Sequence, residues 1–260
     1  MTTTAYDCDC KVVACDSRWS AKVNLIDGDY ILLVDDTGFN KIISRKGGIL
    51  ICAGDGLTIE KLKEWWSSEP FDPNAIPDLL QHGEFKVSIM MISLAGERMF
   101  DAGHKHVVYN PEEEYMHAIF SGSGGGFAAN TFMQCGCAKS SVDIAKLFDP
   151  WTGGEVKFID MVSCENNVDD ETMDYNSIMK AMELRGVLMK FKGHYAANSE
   201  NVTTIPLREH AQANQIINEL QSGSIHAYAP MGGSEVKWTS ERVEKLKEAA
   251  RKIAKFEETM

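Results

Sequence analysis

The chain has 260 residues, 44% hydrophobic and 25% charged, which is the usage of a globular protein with a sizeable core and not of a disordered, collagen-like or disulfide-stapled one. Its 26 basic against 38 acidic residues leave a formal charge of −12, a surface that repels phosphate backbones and anionic lipid, so neither nucleic acid nor membrane is an expected partner. Seven cysteines, an odd number, no apolar leader behind Met1 and no apolar run near the ~20 residues that span a bilayer point to a cytoplasmic protein with reduced thiols.

Residues 3 to 14 alternate and are β-prone, with a break at Asp9-Cys10, and predict two short strands joined by a tight turn. Ile31 to Val34, Lys41 to Ser44 and Ile49 to Ala53, separated by turns at Thr37-Gly38 and Gly47-Gly48, predict three strands at hairpin spacing. The period then changes. Leu57, Leu62 and Trp65-Trp66 fit a helix entered near Thr58, and Ile76, Leu79 and Leu80 a second short one. Residues 85 to 94 and 97 to 101 predict a hairpin around Ala95-Gly96, followed by strands near 104 to 109 and 116 to 120. A Gly-rich turn, Ser121 to Gly126, leads into a helix with Phe127, Ala128, Thr131, Phe132 and Cys135 on its inner side; a helix over 142 to 148 and a strand over 156 to 161 follow. Strands in blocks with helices arriving in pairs, and no regular β-α-β alternation, argue for α+β layers. Beyond residue 162 come an acidic stretch to Asp174, a helix near 173 to 184, a polar loop at 196 to 204 and a helix over 207 to 221. A last helix is capped at Thr239 or Ser240 and carries Val243, Leu246, Ala250 and Ile253 on one stripe.

The N-terminus bears the chemistry. Removal of Met1 would leave Thr2 with a hydroxyl and an α-amine on one residue. Such an amine, with a reference pKa of about 7.7–8.0, is partly neutral near pH 7 and can take the proton of its own hydroxyl. Thr2-Thr3-Thr4, Val12 to Arg18, Lys41-Ile42-Ile43 and Cys52-Ala53-Gly54-Asp55-Gly56 follow one another in the order seen at the start of a proteasome β-subunit, and together they resemble that family and its bacterial relative HslV. Ser121 to Gly125 resembles the family's Gly-Ser-Gly turn, and Asp149-Pro150-Trp151-Thr152-Gly153-Gly154 its Asp-x-x-Ser/Thr-Gly-Gly segment. The likeness covers residues 2 to 162.

That resemblance implies an α+β fold of the N-terminal nucleophile hydrolase type, a four-layer αββα sandwich over residues 1–162; for residues 163–260, which it does not cover, the pattern predicts a mostly helical C-terminal extension packed on the core or on a neighbouring subunit. It implies Thr2 as nucleophile, Lys41 as the cation that favours a neutral amine and a forming alkoxide, and Asp16 as the residue that holds Lys41. Ser123, Asp149 and Thr152 would orient the amine. Ala53 or Gly54 would supply the backbone N–H of an oxyanion hole, ungapped counting from Lys41 giving Ala53 and a shift of one giving Gly54. The implied activity is that of a threonine peptidase acting on peptides or unfolded proteins, without cofactor, in a homo-oligomeric ring with a separate ATP-dependent unfoldase. Two rivals remain: a non-peptidase amidase of the same superfamily, and a silent scaffold that keeps Met1.

Other motifs carry less. Cys8-x-Cys10 and Cys135-x-Cys137 miss the usual Cys-x2-4-Cys metal spacing, and no metal is expected. Gly122-x-Gly124-x-x-Phe127 lacks the third glycine of a dinucleotide loop.

Overall fold

The computed structural model describes residues 2–80, 87–110, 115–168, 171–190, 204–232 and 236–259. It is a mixed α+β structure in which all strand pairs are antiparallel. In chain order the strands and helices are β1 (Thr3–Asp7), β2 (Val12–Cys15), β3 (Trp19–Leu25), β4 (Gly28–Val34), β5 (Ile42–Arg45), β6 (Gly48–Asp55) and α1 (Gly56–Ser67). Then come β7 (Val87–Ser93), β8 (Arg98–Ala102), β9 (Lys105–Tyr109), β10 (Met116–Gly122), α2 (Gly125–Cys135), α3 (Ala138–Ala145) and β11 (Lys157–Asp160). The remainder holds α4 (Asn176–Arg185), β12 (Val187–Lys190), β13 (Thr204–Pro206), α5 (Ala213–Gln221), β14 (Tyr228–Ala229) and α6 (Ser240–Glu258).

Two sheets result, one with the order β11-β2-β1-β10-β9 and one with the order β13-β12-β4-β3-β14-β6-β7-β8, in which β5 also pairs with β6. The period of two along each strand decides what it buries. In the five-stranded sheet, Tyr6, Val13, Cys15 and Ile119 share a cluster with Ile42, Ile49, Ile51, Met90 and Ile92 of the nine-stranded sheet. Their neighbours Ala5, Val12, Ala14, Ala118 and Phe120 point the other way, onto Ala128, Phe132 and Val142 of α2 and α3. The largest cluster joins the second sheet, through residues such as Leu32, Leu50 and Ile89, to Leu62 and Trp66 of α1, Ile178 of α4, Ile216 of α5 and Leu246 and Ile253 of α6.

The segment after residue 162 is therefore woven into the nine-stranded sheet, contributing three strands as well as helices. Its last helix starts where the sequence places the cap, Thr239 accepting the Arg242 N–H at 3.3 Å. Arg45 and the Gly47 N–H clamp the other end of α6 through Glu257, at 2.6 Å and 2.7 Å to Oε1. Leu246, Ala250 and Ile253 bury as their spacing predicts.

Several expectations change. No helix forms over residues 76 to 80: Pro73 and Pro77 deny the backbone donors and geometry a helix needs, and Ile76 and Leu79 join the core from an irregular segment. β4 and β5 do not pair; β4 lies between β3 and β12, while β5 turns back on β6. On α2 the buried residues are Gly125, Ala128, Ala129 and Phe132, with Phe127 42% exposed and Cys135 exposed. The helix after it begins at Ala138, not 142, and the one expected over 207 to 221 is a short 3-10 turn, Leu207–Glu209, followed by α5. The polar loop at 196 to 204 falls outside the described residues except for its last position. Among the described residues no helix is long and apolar enough to cross a membrane.

Candidate functional site

Strand β1 is the middle strand of its sheet, so its first residues lie between the ends of β2 and β10: Thr4 faces Cys15 and Thr3 faces Gly122. Asp16 directly follows β2, and Ser123 directly follows β10. Lys41 comes from the other sheet, one residue before β5, and its carbonyl still accepts the Cys52 N–H at 2.8 Å. Three separate strand ends thus converge on Thr2.

The result is a buried cluster. The Lys41 ammonium donates to Thr2 Oγ1 at 2.6 Å and to Asp16 Oδ1 at 2.8 Å. Thr2 Oγ1 donates to the same carboxylate oxygen. Asp16 is further held by the Thr3 N–H at 2.9 Å and, on Oδ2, by the N–H groups of Arg18 and Gly153, both at 3.2 Å. The Lys41 and Asp16 side chains are both 0% exposed. A buried pair survives only when its remaining donors and acceptors are satisfied, and here five donors converge on one carboxylate. The ring of Trp19 lies 5.7 Å from the Lys41 ammonium. Cys15, at the edge of this cluster, is pushed up to about 12 by burial, so it stays a neutral thiol.

Beside Thr2 lies a second polar group. Ser123 Oγ donates to Asp149 Oδ2, which also accepts the Thr152 hydroxyl at 2.6 Å, and Thr152 Oγ1 is 2.7 Å from Thr3 Oγ1. A tight turn, with the Thr152 N–H on the Asp149 carbonyl at 3.0 Å, brings those two residues together. Glycine is required at Gly122 and Gly124. The first has φ +88° and a β-carbon there would sit 1.7 Å from the Thr2 carbonyl oxygen; at the second it would sit 2.0 Å from Thr3 Oγ1.

All six residues expected from the sequence thus gather around Thr2 or around its neighbour Thr3. Of the two oxyanion-hole candidates, Ala53 pairs with Ser88 of β7, and Gly54 (φ +128°) pairs with Val87 of β7 and with Ala229 of β14; both are buried. Sequence reasoning missed Thr3, Arg18 and the segment around β14. Arg18 lay within the Asp16-Ser17-Arg18 motif; its guanidinium pairs with Asp35 through two contacts of 2.8 Å and reaches the Pro150 carbonyl at 2.7 Å, tying the two motif loops together. Among the described residues no three His, Cys, Asp or Glu side chains come together as a metal site. All seven cysteines are free thiols.

Chemically, the cluster places a hydroxyl between a fixed cation and a fixed carboxylate, out of water. The ammonium favours an alkoxide at this oxygen, while the carboxylate beside it and burial favour the hydroxyl, and low local dielectric strengthens both charge interactions. Comparison with known proteins adds no family to this geometry: no protein-family model matches the chain, and no curated protein matches it.

Proposed function

We propose that the chain is a threonine-type peptidase of the N-terminal nucleophile kind, with Thr2 as nucleophile once Met1 has been removed. The observation that carries this reading is the Lys41 ammonium 2.6 Å from Thr2 Oγ1 and 2.8 Å from Asp16 Oδ1 in a buried site. Thr2 Oγ1 attacks the carbonyl carbon of a peptide bond while its proton passes to the freed α-amine of the same residue, and Lys41 stabilises the oxygen as charge develops. The ammonium form of that amine then protonates the leaving nitrogen, the C–N bond breaks, and an ester to Thr2 remains. Water, giving its proton to the amine, attacks the ester and releases the acid. Ser123, Asp149 and Thr152 act on this step by fixing the β1 terminus, and the backbone N–H of Ala53 or Gly54 serves as oxyanion donor.

The finer fold belongs to the same proposal. An apolar cluster shared by both sheets, with helices packed against each sheet's other face, supports a four-layer αββα arrangement. A cytoplasmic setting rests on reading the seven cysteines as reduced thiols, while peptide or unfolded-protein substrates, a homo-oligomeric ring and an ATP-dependent unfoldase follow from the resemblance alone. A second reading, a silent scaffold that keeps Met1, is favoured by one observation: Thr2 is 0% exposed and its N–H donates to the Pro230 carbonyl at 2.8 Å.

Intact mass and labelling separate the two. Loss of Met1, and a β-lactone adduct that forms on the native chain over long incubation but on neither Thr2→Ala nor Lys41→Ala, supports the peptidase. Equal labelling of all three chains overturns it.

A further inference from the structure

The nine-stranded sheet contains a gap that a single short strand fills. β3 and β6 do not pair with each other; between them lies β14, only two residues long, with Tyr228 opposite both Ser20 and Asp55 and Ala229 opposite Gly54. The same edge of β6 is taken by β5 over Gly48–Ile51 and by β14 only at Gly54 and Asp55. The gap therefore opens just past the point where Lys41 precedes β5, next to the Thr2 hydroxyl. Two strand spacings of about 4.8 Å leave room for one extended backbone and nothing wider.

The occupant is held mostly by its backbone. The Ala227 carbonyl accepts the Gly56 N–H at 3.0 Å, the Ala227 N–H donates to the Tyr175 hydroxyl at 2.8 Å, and the Tyr228 carbonyl accepts from Ser20 Oγ at 3.1 Å. Past β14, Pro230 ends the ladder because it has no N–H, and its carbonyl takes the Thr2 N–H at 2.8 Å. Gly232 then lies against Gly122 and Ser123, where a β-carbon would come within 2.6 Å of the Gly122 carbonyl oxygen. Residues 227–232 thus run along β6, past Thr2 and onto the Ser123 turn, and Thr2 is fully buried.

We infer that residues 227–232 occupy, in cis, the slot in which an extended peptide substrate lies, so that the chain is latent until this segment leaves. The inference rests on the peptidase reading and deepens it. Its substrate is a peptide in β conformation that adds a strand between β3 and β6, with backbone hydrogen bonds giving affinity. A small side chain belongs at the position now filled by Ala229, which is 0% exposed, and an aromatic one fits at the half-buried Tyr228 position.

The test is made in full-length chains carrying Thr2→Ala, so that no turnover intervenes and the slot is judged apart from the nucleophile. One chain adds Ser20→Cys and Tyr228→Cys, residues directly opposite in an antiparallel pair and hence near disulfide distance; oxidation locks the segment and reductant frees it. A second adds Ala229→Arg, whose side chain has no room at a fully buried position and ejects the strand. The probe is a fluorescein-labelled peptide, His-Ala-Tyr-Ala-Pro-Met-Gly, the sequence of residues 226–232, read by fluorescence anisotropy. At least tenfold tighter binding to the reduced or the Ala229→Arg chain than to the oxidised one supports the inference. Failure of both opened chains to exceed the locked chain by that factor overturns it and makes β14 a structural strand. The peptidase reading, by contrast, stands or falls on labelling of Thr2.

Discussion

Replacing Lys41 by Met keeps most of the side-chain volume and removes only the ammonium, which isolates the charge on which the site depends. That ammonium sits 2.8 Å from Asp16 Oδ1, and both side chains are 0% exposed. At an effective dielectric of about 20, the direct attraction at this distance is ~6 kcal/mol. Stranding one member of a buried pair costs about 3–5 kcal/mol. Asp16 keeps three backbone N–H donors and the Thr2 hydroxyl, so the lower end applies, about 3 kcal/mol. Asp16→Asn leaves the opposite charge stranded and costs a similar amount, whereas the double variant loses less than the sum, with a coupling of at least about 2 kcal/mol. Thermal unfolding reads this as a fall in Tm of roughly 6–12 °C for either single variant. A loss below about 1 kcal/mol for Lys41→Met, the range of solvent-exposed pairs, would refute the buried geometry and with it the argument for an activated Thr2.

Buried Lys63 pairs with the partly buried Glu171 and also donates to the Thr172 carbonyl at 2.9 Å; burial lowers the Lys63 pKa and raises that of Glu171. Lys63→Met should cost about 3 kcal/mol, and Lys63→Met with Glu171→Leu should recover most of it; denaturant midpoints decide, and a double variant no better than the single one speaks against the pair. Burial alone would raise the Glu257 carboxyl, but the Arg45 guanidinium and the Gly47 N–H outweigh it and hold it below the usual range. A depressed carboxyl stabilises the fold above its unfolded value and loses that contribution as pH falls through the folded value, so the anchoring of α6 should weaken from about pH 4.3 downward. Glu257→Gln should flatten that part of the stability curve, and an unchanged curve would exclude the clamp. Gly122→Ala, with a β-carbon 1.7 Å from the Thr2 carbonyl oxygen and φ +88°, should cost at least about 2 kcal/mol; a wild-type Tm would contradict the close approach.

Local chemistry was readable in the sequence. The Gly47-Gly48 and Ala95-Gly96 turns do join paired strands, and Thr239 does cap α6. The convergence of Thr2, Asp16 and Lys41 could be proposed because each sits at a strand end within a motif of definite order. What escaped reading depends on distant partners. β14 has two residues and no period, and it is a strand only because Ser20 and Gly54, far earlier in the chain, border the gap it fills. Apolar spacing at Ile76 and Leu79 did report burial, but prolines overrode the helix. The face that α2 turns toward the sheet carries Ala128, Ala129 and Phe132, and Phe127, which its hydrophobicity predicts to be inside, instead stacks on Phe148 at 5.5 Å.

The most direct measurement uses a peptide epoxyketone, an electrophile that closes a ring only with a hydroxyl and a free amine on the same residue. It is applied to the chain freed of Met1, opened by Ala229→Arg, with Thr2 either present or changed to Ala. Intact mass and peptide mapping should find one adduct per chain, on Thr2, and none on the Thr2→Ala chain. An opened chain that keeps its fold, begins at Thr2 and acquires no adduct there would contradict the account.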